Sequence, residues 1–319
     1  FHLLPFTPHP IAISRTSPHM TRHTRAILVV IALMGVWGST FLITKTTVNE
    51  IPPFTLGAIR FLLGSIVLIP IVVARGSLKR LHRPFPVASV ALLGLIGIAG
   101  FSAAFNNAML LGSVTQGSLI FAMVPAAVAV ASVLFLHERL SSRRITGIAL
   151  SIIGVVIVVS FGRPGATAPN PVAGALCMLG AVITWATYTV IAKRLADVDP
   201  IVVTAGASLV GALVLLPMAI WELSTRPFPN PTFAGWMGAL FLGVVASGLA
   251  YAVYSWALKE LDASLVGTLV NLDPIVGVLS AVLILGESLA GWQILGGFAA
   301  LAGMWLASYD RQAGTTATN

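Results

Sequence analysis

Charge is what this chain has least of. Only 9% of its 319 residues are Asp, Glu, Lys or Arg, 57% are hydrophobic, and the mean hydropathy is +0.96. So few charges cannot cover a water-facing surface, and the expectation is an all-α integral membrane protein. Cysteine is nearly absent as well: the single Cys177 excludes an internal disulfide and a cysteine-based metal site. The six histidines (His2, His9, His19, His23, His82, His137) fall in the leader or in loops, and neither a carboxylate pair nor a ligand cluster lies in the predicted membrane segments. No metal, cofactor or hydrolytic centre is therefore expected. A Gly-rich phosphate loop ending in Lys-Ser/Thr is missing too, which argues against ATP as the energy source.

What is present is apolar sequence in membrane-sized pieces. Runs of about 18–25 residues, the length that crosses about 30 Å of hydrocarbon at about 1.5 Å per residue, recur from position 26 to 309. Ten are predicted, near 26–47, 54–74, 87–111, 115–136, 144–162, 171–195, 200–221, 232–257, 263–285 and 291–309. The net charge of +8 would suggest nucleic acid in a soluble protein. Fourteen of the eighteen basic residues, however, fall on one side of this predicted topology, among them Arg22, Arg25, Arg80, Arg143, Arg144 and Lys193. Lys45, Arg163 and Arg226 fall on the other, and Arg60 lies within the second helix. The excess is a topological signal that places both termini in the cytoplasm, and no nucleic-acid partner is expected. Residues 1–25 hold Pro5, Pro8, Pro10 and Pro18 and read as a disordered leader, with Met20 an alternative start. Residues 310–319 read as a cytoplasmic tail.

The chain also repeats itself. Pro125, Glu138, Leu140, Gly147 and Gly154 recur 149 residues later as Pro274, Glu287, Leu289, Gly296 and Gly303. Trp37, Lys45 and Pro52 recur 148 later as Trp185, Lys193 and Pro200, and Gly94, Ala103 and Ala108 recur 149 later as Gly243, Ala252 and Ala257. The unit is five helices, 26–162 and 171–309, with a joint at 163–170. Because five is odd, the second copy must enter the membrane from the opposite face, giving two inverted five-helix repeats about a pseudo-two-fold axis in the membrane plane. Inverted repeats around a central cavity are a structural basis of alternating access, so transport is expected.

Trp37-Gly38-Ser39-Thr40-Phe41, Arg60-Phe61 and the Pro125-to-Gly154 pattern resemble the EamA-type repeat of the drug/metabolite transporter superfamily. The second half resembles it further, from Ala250-Tyr251 through Trp256-Ala257-Leu258, Asp273-Pro274 and Leu285-Gly286-Glu287 to Gly303. The resemblance covers nearly all of 26–309. It implies ten helices around a central cavity lined by helices 1, 3, 4, 6, 8 and 9, with 5 and 10 more peripheral. It also implies a substrate among amino acids, other small metabolites, nucleotide sugars or sugar phosphates, with export the commoner direction in bacterial members. In the family the residue before the helix 9 proline is often Glu, where this chain has Asp273.

Asp273 is the only acidic residue well inside a predicted helix, near the midplane, where an ionised carboxylate costs about 2.5–3.5 kcal/mol on insertion scales. It reads either as a coupling group or substrate-amine contact, or as a carboxyl bonded to backbone freed by Pro274. Asn271, two residues earlier, is expected to face elsewhere around the helix. Arg60 has no charged repeat partner; it can bind a substrate carboxylate, pair with Asp273, or snorkel to the interface. Pro125 and Pro274 each remove a mid-helix hydrogen bond and should kink helices 4 and 9, a candidate gate. Trp37, Phe41, Phe105, Trp185, Tyr188, Tyr251 and Tyr254 lie on helices that the resemblance places around the cavity, with Asn106 and Asn271 as candidate polar contacts. Trp221, Trp236, Trp292 and Trp305 read as interface anchors, Glu138 and Glu287 as charges favouring a helix N-terminus, and the repeat glycines as packing positions.

The expected function is a secondary transporter of a bacterial-type inner membrane that exports amino acids or similar small metabolites by alternating access. Its partners would be a small-molecule substrate and the lipid bilayer, with monomer and oligomer both open. An uncoupled facilitator and a drug- or sugar-type metabolite transporter are the alternatives, with an intramembrane enzyme behind them.

Overall fold

Hydrocarbon offers backbone N–H and C=O groups no water, so each apolar run satisfies them within its own segment as a helix. The structure, a computed structural model, describes residues 22–77, 86–137, 140–161, 168–195, 197–225, 230–261 and 263–308. Glu138, Arg163, Arg226, most of the leader and joint, and the tail lie outside them. In order the helices are α1 (Arg22–Val48), α2 (Pro53–Ala74), α3 (Val87–Leu111), α4 (Val114–Leu136) and α5 (Ser142–Phe161). They continue as α6 (Pro171–Lys193), α7 (Pro200–Thr225), α8 (Phe233–Glu260), α9 (Ala263–Val270, resuming as Leu272–Leu285) and α10 (Gly291–Ser308). Among the described residues there is no strand. Among the described residues nine helices, α1 to α9, are long and apolar enough to cross a membrane, and the protein is a multi-pass membrane protein. The tenth, α10, has 18 residues and lies outside that set.

Prolines open α2, α6 and α7, where the first turn needs no N–H from them. The prolines inside α4 and α9 act differently. Pro125 and Pro274 cannot donate to the carbonyls of Phe121 and Val270 four residues back, and the regular winding gives way just upstream, at Ala122–Met123 and at Asn271. There the chain tightens to three-residue bonds, Met123 N–H to Ile120 O at 3.0 Å and Asn271 N–H to Thr268 O at 3.2 Å.

Wider turns interrupt α3 and α8 over Leu93–Gly100 and Phe241–Leu249, which wind as π-helix. These segments stand 149 residues apart at their second ends, as do the left-handed C-caps His137 (φ 55°) and Gly286 (φ 66°) of α4 and α9. Glycine suits that backbone; histidine adopts it against a steric cost.

The most extensive helix pair is α5 with α10, followed by α2 with α7 and α3 with α6, while α1 packs on α8 and α9 and α6 packs on α4 as well as on α3. In the α5/α10 pair the repeat glycines let backbone meet backbone in antiparallel array. A Cβ on Gly154 would lie 2.6 Å from Gly296 O, and one on Gly303 would lie 2.6 Å from Gly147 O. Trp221, Trp236, Trp292 and Trp305 are exposed, outside the buried core.

Gly154→Leu should therefore lower the stability of the detergent-solubilised protein by about 1–3 kcal/mol through overpacking. Gly35→Ala, where a Cβ meets nothing within 4 Å, should leave it unchanged or slightly higher. Thermal unfolding of the two variants side by side checks the contrast.

Candidate functional site

The bundle holds an inner pocket of about 90 Å³ beside a vestibule of about 570 Å³. Trp37, Pro125, Trp185, Tyr251, Val270 and Asn271 line both spaces, so the two adjoin. The vestibule extends to the ends of α5, α6 and α10 that carry Arg144, Lys193 and Ser308. In the other direction the pocket stops at phenylalanines. Phe41 meets Phe105 and Phe121 edge-on, with centroids 5.1 and 5.4 Å apart, and Phe101 stacks on Phe105 at 5.4 Å.

The wall towards the vestibule is made of larger, polar-tipped rings. Trp185 stacks on Tyr188 (5.2 Å, 15° between planes), and Trp37 packs against Tyr251 and Tyr254 at 5.4 and 5.2 Å. The π segment of α8 fixes the Trp37 ring, because its indole N–H donates to Ala246 O at 3.1 Å. In α3 the π segment brings Gly97 beneath Tyr188, whose ring occupies the space a Cβ would take.

Two charged side chains face the inner pocket. Asp273 is 9% exposed and its Oδ1 has no hydrogen-bond partner, so no backbone group freed by Pro274 holds it. Arg60, 7% exposed, donates from Nε to Ser247 Oγ at 2.7 Å. No Arg60 nitrogen lies within 4.0 Å of an Asp273 oxygen. Tyr251 lines the same pocket. Small residues bring these elements together: a Cβ on Gly38 of α1 would lie 2.7 Å from Asp273 O.

Beyond the phenylalanines, the end of the bundle bearing the α1–α2 turn is closed by glutamates on helix N-termini. Glu222 accepts from Thr55 N–H and Oγ1 (both 2.9 Å) at the start of α2. Glu50 accepts from Thr232 N–H (2.7 Å) and Oγ1 (2.8 Å) just before α8. Glu287 accepts from Val114 and Thr115 N–H (3.1 and 2.9 Å) at the start of α4. Each carboxylate takes N–H groups that have no partner inside their own helix, at the positive end of its dipole. Lys45 does the converse at the end of α3, donating to Gly112 O at 2.8 Å, with Glu287 near enough to act on its charge.

Of the residues singled out in the sequence, Trp37, Phe41, Arg60, Phe105, Pro125, Trp185, Tyr251, Asn271, Asp273 and Pro274 border the inner pocket, and Tyr188 and Tyr254 border the vestibule. Asn106 is a correction: fully buried, it donates to Pro53 O at 2.8 Å and ties α3 to α2, away from the cavity. Asn271 is another, for it shares the pocket with Asp273 because the helix is interrupted there and ordinary helical spacing does not apply. Its amide donates to Ser308 Oγ at 3.1 Å. Glu287 does sit on a helix N-terminus, but that of α4 rather than of the helix that follows it. The lining also draws on α2 through Arg60 and on α10 through Met304, beyond the six helices expected. Sequence reasoning missed Phe101 and Phe121; their signal is spacing, one helical turn before Phe105 and Pro125. Ser247, Glu50 and Glu222 carried none, since their partners are 182–187 or 167 residues away in the chain.

Residues 24–160 and 172–309 each match the model of the EamA-like transporter family. Over 289 residues the chain is 25% identical to the uncharacterized transporter YyaM of Bacillus subtilis (90% of this chain, 94% of that one). Over 262 residues it is 28% identical to the aromatic amino acid exporter YddG of Ancylobacter novellus (82% of this chain, 88% of that one). A solved crystal structure shares the fold, with a TM-score of 0.62 and 24% identity over 89% of this chain and 98% of that one.

Of the glutamate caps, Glu222 is the most buried, at 4% exposure. Glu222→Ala should strand the Thr55 groups and lower stability by about 1–3 kcal/mol, whereas Glu222→Gln, which keeps an acceptor, should lose less. Thermal midpoints in detergent measure both.

Proposed function

We propose, for a chain that belongs to the EamA-like transporter family, that it is a secondary transporter exporting amino acids or similar small metabolites by alternating access. The protein is a transporter and not an enzyme. The observation that carries the finer reading is a central aromatic cavity, reaching one end of the bundle and closed towards the other, with an unbonded carboxylate at Asp273. Such a cavity suits substrate capture from one side, and a carboxylate without protein partners is suited to exchange between a proton and a substrate cation.

The proposed architecture is ten spans in two inverted five-helix repeats. Features that recur at the repeat spacing support it, from the π segments of α3 and α8 to the left-handed caps of α4 and α9. So do the contacts, since α1 on α8 and α9 is matched by α6 on α3 and α4. The bias of the basic residues supports a cytoplasmic placing, in a bacterial-type inner membrane, of the end with Arg144 and Lys193 and of both termini. On that reading the vestibule faces the cytoplasm, where an exporter loads. The exporter YddG among the relatives supports amino acids as the cargo.

Proteoliposome flux tests the coupling. An imposed pH gradient should accelerate amino-acid flux severalfold in the wild type, and Asp273→Asn should abolish that response. Normal gradient-dependent flux in the variant would remove Asp273 from coupling; a wild type indifferent to the gradient would make the protein a facilitator.

A further inference from the structure

Two opposite charges share the inner pocket and do not neutralise each other. Asp273 Oδ1 is buried without a hydrogen-bond partner. Arg60 is fixed through Nε to Ser247, and no protein acceptor among the described residues takes a hydrogen bond from its Nη atoms. Inserting either charge into a bilayer protein is unfavourable, and a bundle that needed them only for stability would pair them. Here they stand on different helices, α2 and α9, with Tyr251 lining the same pocket.

The space around them is graded in size. The pocket that holds the charges is about 90 Å³, whereas the vestibule walled by Trp37, Trp185, Tyr188 and Tyr254 is about 570 Å³. A head group fits the first and a bulky side chain the second.

Resting on the transport reading above, we infer that the pocket is a head-group clamp for zwitterionic α-amino acids, with Arg60 taking the carboxylate and Asp273 the ammonium. The side chain lies in the vestibule against aromatic faces. The Arg60 fork matches a carboxylate through its Nη atoms while Nε stays on Ser247. The ammonium gains the Asp273 carboxylate and the nearby rings. A ligand with only one of the two charges leaves the other protein charge buried and unmatched. Recognition is accordingly strict for the head group and permissive for large apolar or aromatic side chains.

The test is ligand ranking on the purified full-length protein, by ligand-induced thermal stabilisation, with L-phenylalanine, phenethylamine and 3-phenylpropionate as probes. In the wild type phenylalanine should bind at least tenfold more tightly than either single-charge analogue, and L-tryptophan and L-leucine within about tenfold of phenylalanine. Arg60→Gln should erase the preference for phenylalanine over phenethylamine, and Asp273→Asn the preference over 3-phenylpropionate. A wild type that does not favour the zwitterion overturns the clamp, as do variants that weaken all three probes equally. Phenylalanine flux in proteoliposomes is the separate readout. Flux with an unaltered ranking in both variants refutes the clamp and leaves transport standing; the expected ranking without flux supports the clamp and refutes transport.

Discussion

The seal at one end of the bundle is the constraint from which the rest follows. Helices that end in a membrane protein expose N–H groups and partial positive charge that something must satisfy. Here Glu222, Glu50 and Glu287 supply it to helices far away in sequence, and Lys45 supplies the complement at the end of α3. These contacts join α1, α2, α4, α7, α8 and the α9–α10 connection at one face. With that end tied and the phenylalanines packed beneath it, the cavity among the described residues extends towards the opposite end. On the alternating-access reading proposed above, the bonds at the tied end are the ones that an opening to the other side would have to break.

Much of this was legible in the sequence for physical reasons. Apolar runs of membrane length report helices directly, because in lipid no other open-chain structure satisfies the backbone. The repeat glycines found their place in the α5/α10 contact because only a residue without a side chain permits backbone to touch backbone at Gly147, Gly154, Gly296 and Gly303. Pro125 and Pro274 announced the interruptions of α4 and α9, although each break falls two to three residues earlier than the proline itself. That displacement moved Asn271 into the pocket beside Asp273, against the simple helical count.

What could not be read was whatever depends on partners distant in the chain. Asn106 looked like a cavity amide and instead holds the first turn of α2, since nothing near position 106 records that Pro53 lies across from it. Arg60 was open to three readings until Ser247, 187 residues away, was seen to fix its Nε. The π segments are hard to read in a further sense: Leu93–Gly100 and Phe241–Leu249 are apolar like their flanks, yet they set the direction of Trp37 and the seat of Tyr188. Charge patterning, by contrast, is legible in the sequence itself, in the gathering of basic residues on one side of the predicted topology and in the two charges that the repeat does not duplicate.

The residues matched between the two halves fall largely in the frame, whereas Asp273 and Arg60, which the repeat does not duplicate, bring the two charges to the inner pocket. The most direct measurement of the central claim is counterflow in proteoliposomes. Vesicles holding the purified protein and preloaded with unlabelled phenylalanine should take up a trace of labelled phenylalanine in a transient overshoot absent from empty vesicles. Uptake that is equally slow in loaded, empty and protein-free vesicles would contradict it.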